Sequence, residues 1–348
     1  MFMTTDDIRD KEVFECLEKG IFYREILEKA LLFKNEEQEK LFRIARDKRD
    51  KAFPDKYVEV RSVIEISNKC RQGCNYCTMG KKMAMREYTI DEPVLFSLTE
   101  YLHKKGRRVI LLQSGENREQ EYINMVSRCV EKIKERHSDF VIILCLGNLA
   151  KKQYLQLRKA GADRYILKFE TSNPVVYRNA KPKDTLDNRL RCIDHLLETG
   201  FSLGSGNIVG LPGQSLTDMA TDLILLHKYN LSMNSSTVFI PTESSVFENE
   251  PHGDLDMTLN TMALLRIMNP GRLIPATSSL EKIRKGSQLR GLMAGANTVT
   301  IHDGTPDKLK SLFPIYSVER VTPNREHFVG IVEQAYMKLS KEALNVKC

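Results

Sequence analysis

The chain has 348 residues, 41% of them hydrophobic, no tryptophan, and 53 Lys and Arg against 46 Asp and Glu, a formal charge of +7. That length suits one large α/β barrel or two ordinary domains. No run of about eighteen apolar residues suggests a membrane span, Met1-Phe2-Met3-Thr4-Thr5-Asp6-Asp7 lacks the succession of a secretory signal, and the cations form no stripe with aromatics that would suit nucleic acid.

The chain opens with helical patterns over residues 1–55. Tyr23 to Leu31 and Glu36 to Arg49 carry a helical period and many i,i+4 charge pairs. From Tyr57 the pattern alternates. A β-branched run, Val58 to Ile66, leads into Ser67-Asn68-Lys69-Cys70-Arg71-Gln72-Gly73-Cys74-Asn75-Tyr76-Cys77. Glu92 to His103 predicts an amphipathic helix. Further strands are predicted at Arg108–Leu112, Phe140–Leu146, Arg164–Lys168, Leu203–Val209, Thr237–Ile240, Leu273–Ala276 and Thr298–Ile301, with helical patterns between most of them. Strands alternating with helices imply a parallel sheet. About eight repeats over 56–310 suggest a closed (β/α)8 barrel, with a shorter open barrel as the alternative. Residues 311–348 form a C-terminal extension.

The spacing C-x3-C-x2-C of Cys70, Cys74 and Cys77 is the most informative motif. Three thiolates on one loop cannot close a tetrahedral zinc site, and no second C-x2-C pair exists. A 4Fe-4S cube takes one ligand per iron. On three cysteines it keeps one iron open, and an open iron is reactive. Eight cysteines in a cytoplasmic-looking chain fit thiolates in a reducing compartment rather than disulfides. Cys129 and Cys192 fall in helical patterns and read as packing, whereas Cys145 ends the third strand on a face that can point inward.

Polar clusters recur after later strands: Gln113-Ser114-Gly115-Glu116, Phe169-Glu170-Thr171-Ser172, Gly204 to Gln214, and Pro275-Ala276-Thr277-Ser278-Ser279. The carboxyl ends of parallel strands are where small-molecule pockets form. Thr277, Ser279 and His302, at the ends of the last two strands, are substrate-side candidates, with Ser235 and Thr237 on the same hydroxyl-rich wall.

These stretches together resemble the radical SAM superfamily, in the group of the iron-only hydrogenase maturase of the HydE type, methylornithine synthase and biotin synthase. Leu-Gln-Ser-Gly-Glu (112–116), Asp-Arg-Tyr (163–165) and Gly-Leu-Pro-Gly-Gln (210–214) resemble the HydE type most. The resemblance covers about residues 20 to 310. It implies a full (β/α)8 TIM-type barrel with amino-terminal helices across its base. It implies a cluster on Cys70, Cys74 and Cys77, whose open iron holds S-adenosyl-L-methionine (SAM). By position, Tyr76 would lie against the adenine, and Ser114, Gly115 and Glu116 would hold the methionyl ammonium. Glu170 would accept from the ribose, Arg189 would pair with the methionyl carboxylate, and Gly206 and Gly210 would pass beside the adenine. A low-potential donor of ferredoxin or flavodoxin type would supply the electron, and a small molecule or cofactor precursor would be the substrate.

Departures matter as well. Where biotin synthase holds a second cluster, this chain carries Gln113, Ile143, Gly204 and Leu280. Where methylornithine synthase clamps its product, it carries Ser235 and Ser279. A sulfur-inserting enzyme with a second cluster, drawing on Cys16, Cys145 or Cys348, remains one alternative. A non-catalytic iron–sulfur scaffold is another.

Overall fold

The computed structural model describes residues 8–77, 79, 86–310 and 325–345. Three helices come first: α1 (Asp10–Glu18), α2 (Arg24–Leu31) and α3 (Asn35–Ala52). Then β1 (Tyr57–Ser67), α4 (Glu92–Lys104), β2 (Val109–Ser114), α5 (Gln120–Arg136), β3 (Val141–Cys145), α6 (Lys151–Lys159) and β4 (Arg164–Ile166) follow. After α7 (Pro174–Ala180) and α8 (Leu186–Glu198) come β5 (Ser202–Val209), α9 (Leu216–Lys228), β6 (Met233–Val238), α10 (Leu255–Met268) and β7 (Pro275–Ala276). The order closes with α11 (Ser278–Ile283), α12 (Ser287–Met293), β8 (Thr298–Ile301), α13 (Asp307–Lys310), α14 (Arg325–Gln334) and β9 (Lys338–Leu339).

The strands pair in parallel in the order β6-β5-β4-β3-β2-β1-β8-β7. Closure between β6 and β7 rests on Leu273, whose N–H donates to Ser232 O and whose carbonyl accepts from Asn234, both at 2.9 Å. The sheet is therefore a (β/α)8 barrel, joined most thinly at that seam. Strand period two sorts the apolar side chains. Ile110, Leu112, Ile142 and Leu144 pack outward in the main core with the helices. Val63, Val109, Leu111 and Ile143 point inward as a separate plug.

The amino-terminal helices pack on the barrel's outer helices. They lie along the flank, against α9, α10 and α12. Leu41, Phe42 and Ala45 of α3 are buried, and Gln38 Nε2 donates to Asn260 Oδ1 at 2.9 Å. Asn260 in turn donates to the carbonyls of Leu31 and Phe33 at 3.0 and 2.7 Å. This cover explains why α10 is buried almost all round. Residues 338–345 also cover the base. β9 pairs with β1 at Tyr57 and Val58, Ala343 packs on the inward plug, and Leu344 N donates to Glu59 Oε2 at 2.8 Å. Glu59 is fully buried between Arg61 and Arg164, at 2.8 and 2.9 Å. Burial works against its charge, yet the two guanidinium groups hold its pKa below the ordinary value. Among the described residues no helix is long and apolar enough to cross a membrane.

Candidate active site

The cysteine loop leaves β1 at its carboxyl end and is held there by its neighbours. Asn68 Oδ1 accepts from Tyr88 N at 2.8 Å, Arg71 N donates to Glu116 O at 2.9 Å, and Asn75 N donates to Ala180 O at 2.8 Å. The loop after β2 presses on it closely. A Cβ on Gly115 would stand 2.4 Å from Lys69 O and 2.6 Å from Cys70 Cβ, so only glycine fits. Glu116 N donates to Cys70 Sγ at 3.3 Å, and Lys181 Nζ donates to Cys74 Sγ at 3.5 Å.

Cys70, Cys74 and Cys77 line one cavity of about 290 Å³. Three thiols offer one ligand fewer than a tetrahedral ion takes. On one wall of a shared cavity, they suit legs on separate irons of a cube. Burial raises the Cys70 thiol and pushes the Cys77 thiol up to about 12, so the thiolates need a bound cation's charge in place. N–H and ammonium donors aimed at two of the sulfurs suit anionic ligands. The donor set fits a 4Fe-4S cluster.

Residues from the ends of β1 to β6 converge on the same cavity, among them Tyr76, Ser114, Glu116, Glu170 and Arg189. Glu170 is one of few non-glycine residues in the left-handed region, at φ 69°, a conformation that costs about 1–2 kcal/mol. β5 enforces it: Glu170 N donates to Gly206 O at 3.1 Å and Ile208 N donates to Glu170 O at 2.8 Å. The carboxylate is thereby aimed inward, with Oε1 accepting from Tyr76 at 3.4 Å and Oε2 lying 3.3 Å from Lys168 Nζ. Oε2 is buried and makes no hydrogen bond. Lys168 and Tyr76 thus hold the carboxylate at the cavity wall.

Arg189 sits in the first turn of α8, which Thr185 caps through the Asn188 N–H. Its Nε donates to Tyr177 Oη at 3.1 Å, and that hydroxyl donates to Asp184 at 2.7 Å. Burial opposes its charge, but Tyr177, Glu170 and Glu116 hold its pKa well above the ordinary value. The guanidinium is fixed at one edge and lines the cavity with the rest.

Other expected residues take different places. Glu116 is buried, with Oε1 accepting from Gln72 at 3.0 Å and paired with Arg118 at 2.8 Å, and Oε2 accepting from Asn148 N at 2.9 Å. Its carboxylate braces three loops. Gly206 and Gly210 are not among the cavity's lining residues. A Cβ on Gly206 would meet Ser235 O at 1.9 Å, so this glycine lets β5 and β6 approach. Thr277 and Ser279 bond to each other at 2.7 Å, and His302 Nδ1 lies 3.3 Å from Glu65 Oε1. None of these three lines the cavity either. Of the spare cysteines, Cys145 does line it, with its thiol pushed up to about 11 by burial. Cys16 lies in α1 on the flank, and Cys348 lies outside the described residues.

The sequence reading missed Lys168, Lys181 and Gln72. Lys168 had a signal: it stands just past the end of β4, two positions before Glu170, where the other polar residues gather. Lys181 had none, because Cys74 is 107 positions away from it.

The Radical SAM superfamily profile matches residues 64–226. The [FeFe] hydrogenase maturase subunit HydE of Thermotoga maritima is 35% identical over 309 residues, covering 88% of this chain and 87% of that protein. Biotin synthase of Aquifex aeolicus is 24% identical over 271 residues, covering 75% of this chain and 81% of that one. In fold, methylornithine synthase (PylB) superposes with a TM-score of 0.78 at 21% identity, covering 94% of this chain and 97% of the other. The FeFe-hydrogenase maturase HydG of Carboxydothermus hydrogenoformans gives 0.80 at 21% identity, covering 95% and 79%.

Proposed function

The chain belongs to the radical SAM superfamily, in the group of HydE-type maturases, and from that premise we propose that it cleaves SAM reductively to act on a small molecule or a metal-cofactor precursor. The observation that carries this reading is the convergence of the three cysteines with Tyr76, Glu170 and Arg189 on one cavity at the strand ends. The 4Fe-4S cluster and SAM, when bound, supply the 5'-deoxyadenosyl radical.

The chain's part is placement and exclusion of water. Cys70, Cys74 and Cys77 would hold the cluster. Arg189, with Nε kept on Tyr177, offers its two terminal nitrogens to the methionyl carboxylate. The segment Ser114–Gly115 would hold the methionyl ammonium, while Glu116 braces that loop. Glu170, which lines the cavity, accepts from the ribose hydroxyls. Tyr76 packs beside Ile208 and Phe239 and gives the adenine an apolar slot, with Gly206 and Gly210 shaping β5 behind it. Gln113, Cys145, Lys168 and Thr237 line the remainder and face the substrate. His302 and the Thr277–Ser279 pair meet only a substrate that reaches across to β7 and β8. The electron comes from a low-potential donor of ferredoxin or flavodoxin type.

The test is anaerobic reconstitution followed by dithionite reduction. The protein is expected to hold about four irons and to release 5'-deoxyadenosine from SAM. Each of Cys70→Ala, Cys74→Ala and Cys77→Ala is expected to abolish that release. An intact cluster that yields no deoxyadenosine under any reducing condition would sink the reading.

A further inference from the structure

At the end of the barrel opposite the cysteine loop, α4 and α5 finish beside each other. His103 lies in the last turn of α4, which leads into β2. His137 caps the carboxyl end of α5, and Asp139 follows it, two positions before β3 begins. The two imidazole rings stack with centroids 4.0 Å apart and 23° between their planes. Phe140 backs both rings edge-on, at 5.3 and 5.6 Å.

His103 Nε2 lies 3.0 and 3.1 Å from the two Asp139 oxygens. One ligand atom from each of His103, His137 and Asp139 lies within 4.8 Å of the other two. With Zn–N and Zn–O lengths of about 2.0 Å, tetrahedral ligand atoms stand about 3.3 Å apart. The His103–Asp139 pair is already near that spacing. Both histidines are half-buried and Asp139 is exposed, so a fourth ligand can come from solvent.

Neighbours hold these ligands as outer partners hold those of metal sites. Glu100 Oε1 is 2.6 Å from His137 Nε2, and Arg108 Nε is 2.6 Å from Asp139 Oδ2. Burial works against its charge, but His103 and Arg108 keep the Asp139 carboxyl below its ordinary pKa, in the anionic form that ligates. The other cations at this end have partners of their own. Arg107 pairs with Asp303 at 2.9 Å, Lys105 lies over the Tyr101 ring and Arg136 over the Phe96 ring, and Lys104 attracts Glu100.

We propose that His103, His137 and Asp139 bind a divalent transition ion of the zinc class, with water as the fourth ligand, and that this ion staples the end of α4 to the corner between α5 and β3. Two imidazoles with one carboxylate suit zinc, cobalt or nickel, whereas calcium and magnesium take oxygen ligands. His103 and Asp139 stand 36 positions apart, so the ion links elements that the chain joins only through α5. An ion held by the folded chain alone stabilises it by mass action.

The probe is zinc chloride, titrated calorimetrically into the anaerobically reconstituted full chain, with bound zinc and iron measured together by elemental analysis. One zinc per chain is expected, with the iron unchanged and the Tm raised. His103→Gln/His137→Gln is expected to lose this zinc and its gain in Tm. Asp139→Asn is expected to bind it at least about tenfold more weakly. Equal zinc affinity in the parent and the double variant overturns the proposal, as does saturation reached only at millimolar zinc. Zinc uptake matched by loss of iron overturns it too, because the ion then sits on the cysteines. Should the double variant fail to fold, Asp139→Asn decides by the same titration.

Discussion

Glu116 donates its backbone N–H to Cys70 Sγ at 3.3 Å, so the loop after the second strand reaches the first cysteine directly. Gly115 makes that approach possible, since any side chain there meets Lys69 and Cys70.

Gly115→Ala is therefore expected to push the cysteine loop away. The overpacking costs about 1–3 kcal/mol and falls on the site more than on the barrel. Iron retained after reconstitution should drop well below the parent's value while far-ultraviolet circular dichroism stays the same. Full iron loading in the alanine variant would show that the loops are not as tightly joined as these distances say.

Arg189→Lys keeps the charge and loses the planar fork. SAM binding, measured by calorimetry on reconstituted protein, is expected to weaken by about 1–3 kcal/mol. Parent-like affinity would remove Arg189 from the SAM site.

Glu170 separates strain from function. Asparagine tolerates the left-handed backbone far better, so Glu170→Asn is expected to stabilise the fold by about 1 kcal/mol and to weaken SAM binding at the same time. Denaturant midpoints and SAM affinity should thus move in opposite senses. A variant that loses both would mean that the carboxylate supports the fold and not the ligand.

Asp222 supplies a pH dependence. This fully buried carboxylate on α9 accepts from Ser172 N at 2.6 Å, Asn207 Nδ2 at 3.0 Å and Gln214 Nε2 at 3.3 Å, tying together the loops after β4 and β5. Burial pushes its pKa up to about 7, against the pull of its donors. The folded chain then takes up a proton near neutrality that the unfolded chain takes up only near about pH 4. Its contribution to stability is full below that lower value and is lost as pH rises through 7. The parent's Tm is expected to fall between pH 5 and 8 relative to that of Asp222→Asn. Parallel Tm profiles would count against it.

What was legible in the chain and what was not divides by distance along it. The cysteine spacing lies within one loop, and the strand runs show their period locally, so both could be read directly. Strand six begins earlier than its apolar run suggests, at Met233. Asn234 and Ser236 look like loop residues but are fully buried in the sheet, and Asn234 N reaches the seam at Leu273. Strand seven is shorter than its run because Leu273 makes only an isolated bridge with Met233. Glu116 illustrates the harder problem. Its motif marks it as a ligand holder, but its carboxylate is taken by Gln72, Arg118 and Asn148, partners that only the folded barrel brings together.

The seal at the barrel's base has a consequence for synthesis of the chain. Leu344 meets Glu59 across 285 positions, and Arg164 Nη2 reaches the carbonyl of Leu344 at 3.0 Å across 180. A ribosome releases the first strand long before it releases the residues that cover the foot of that strand. Contacts of such long sequence separation form late and slowly. Closing the floor therefore spans nearly the whole chain, whereas the partners of the cysteine loop, at the opposite mouth, stand within about 110 positions of it.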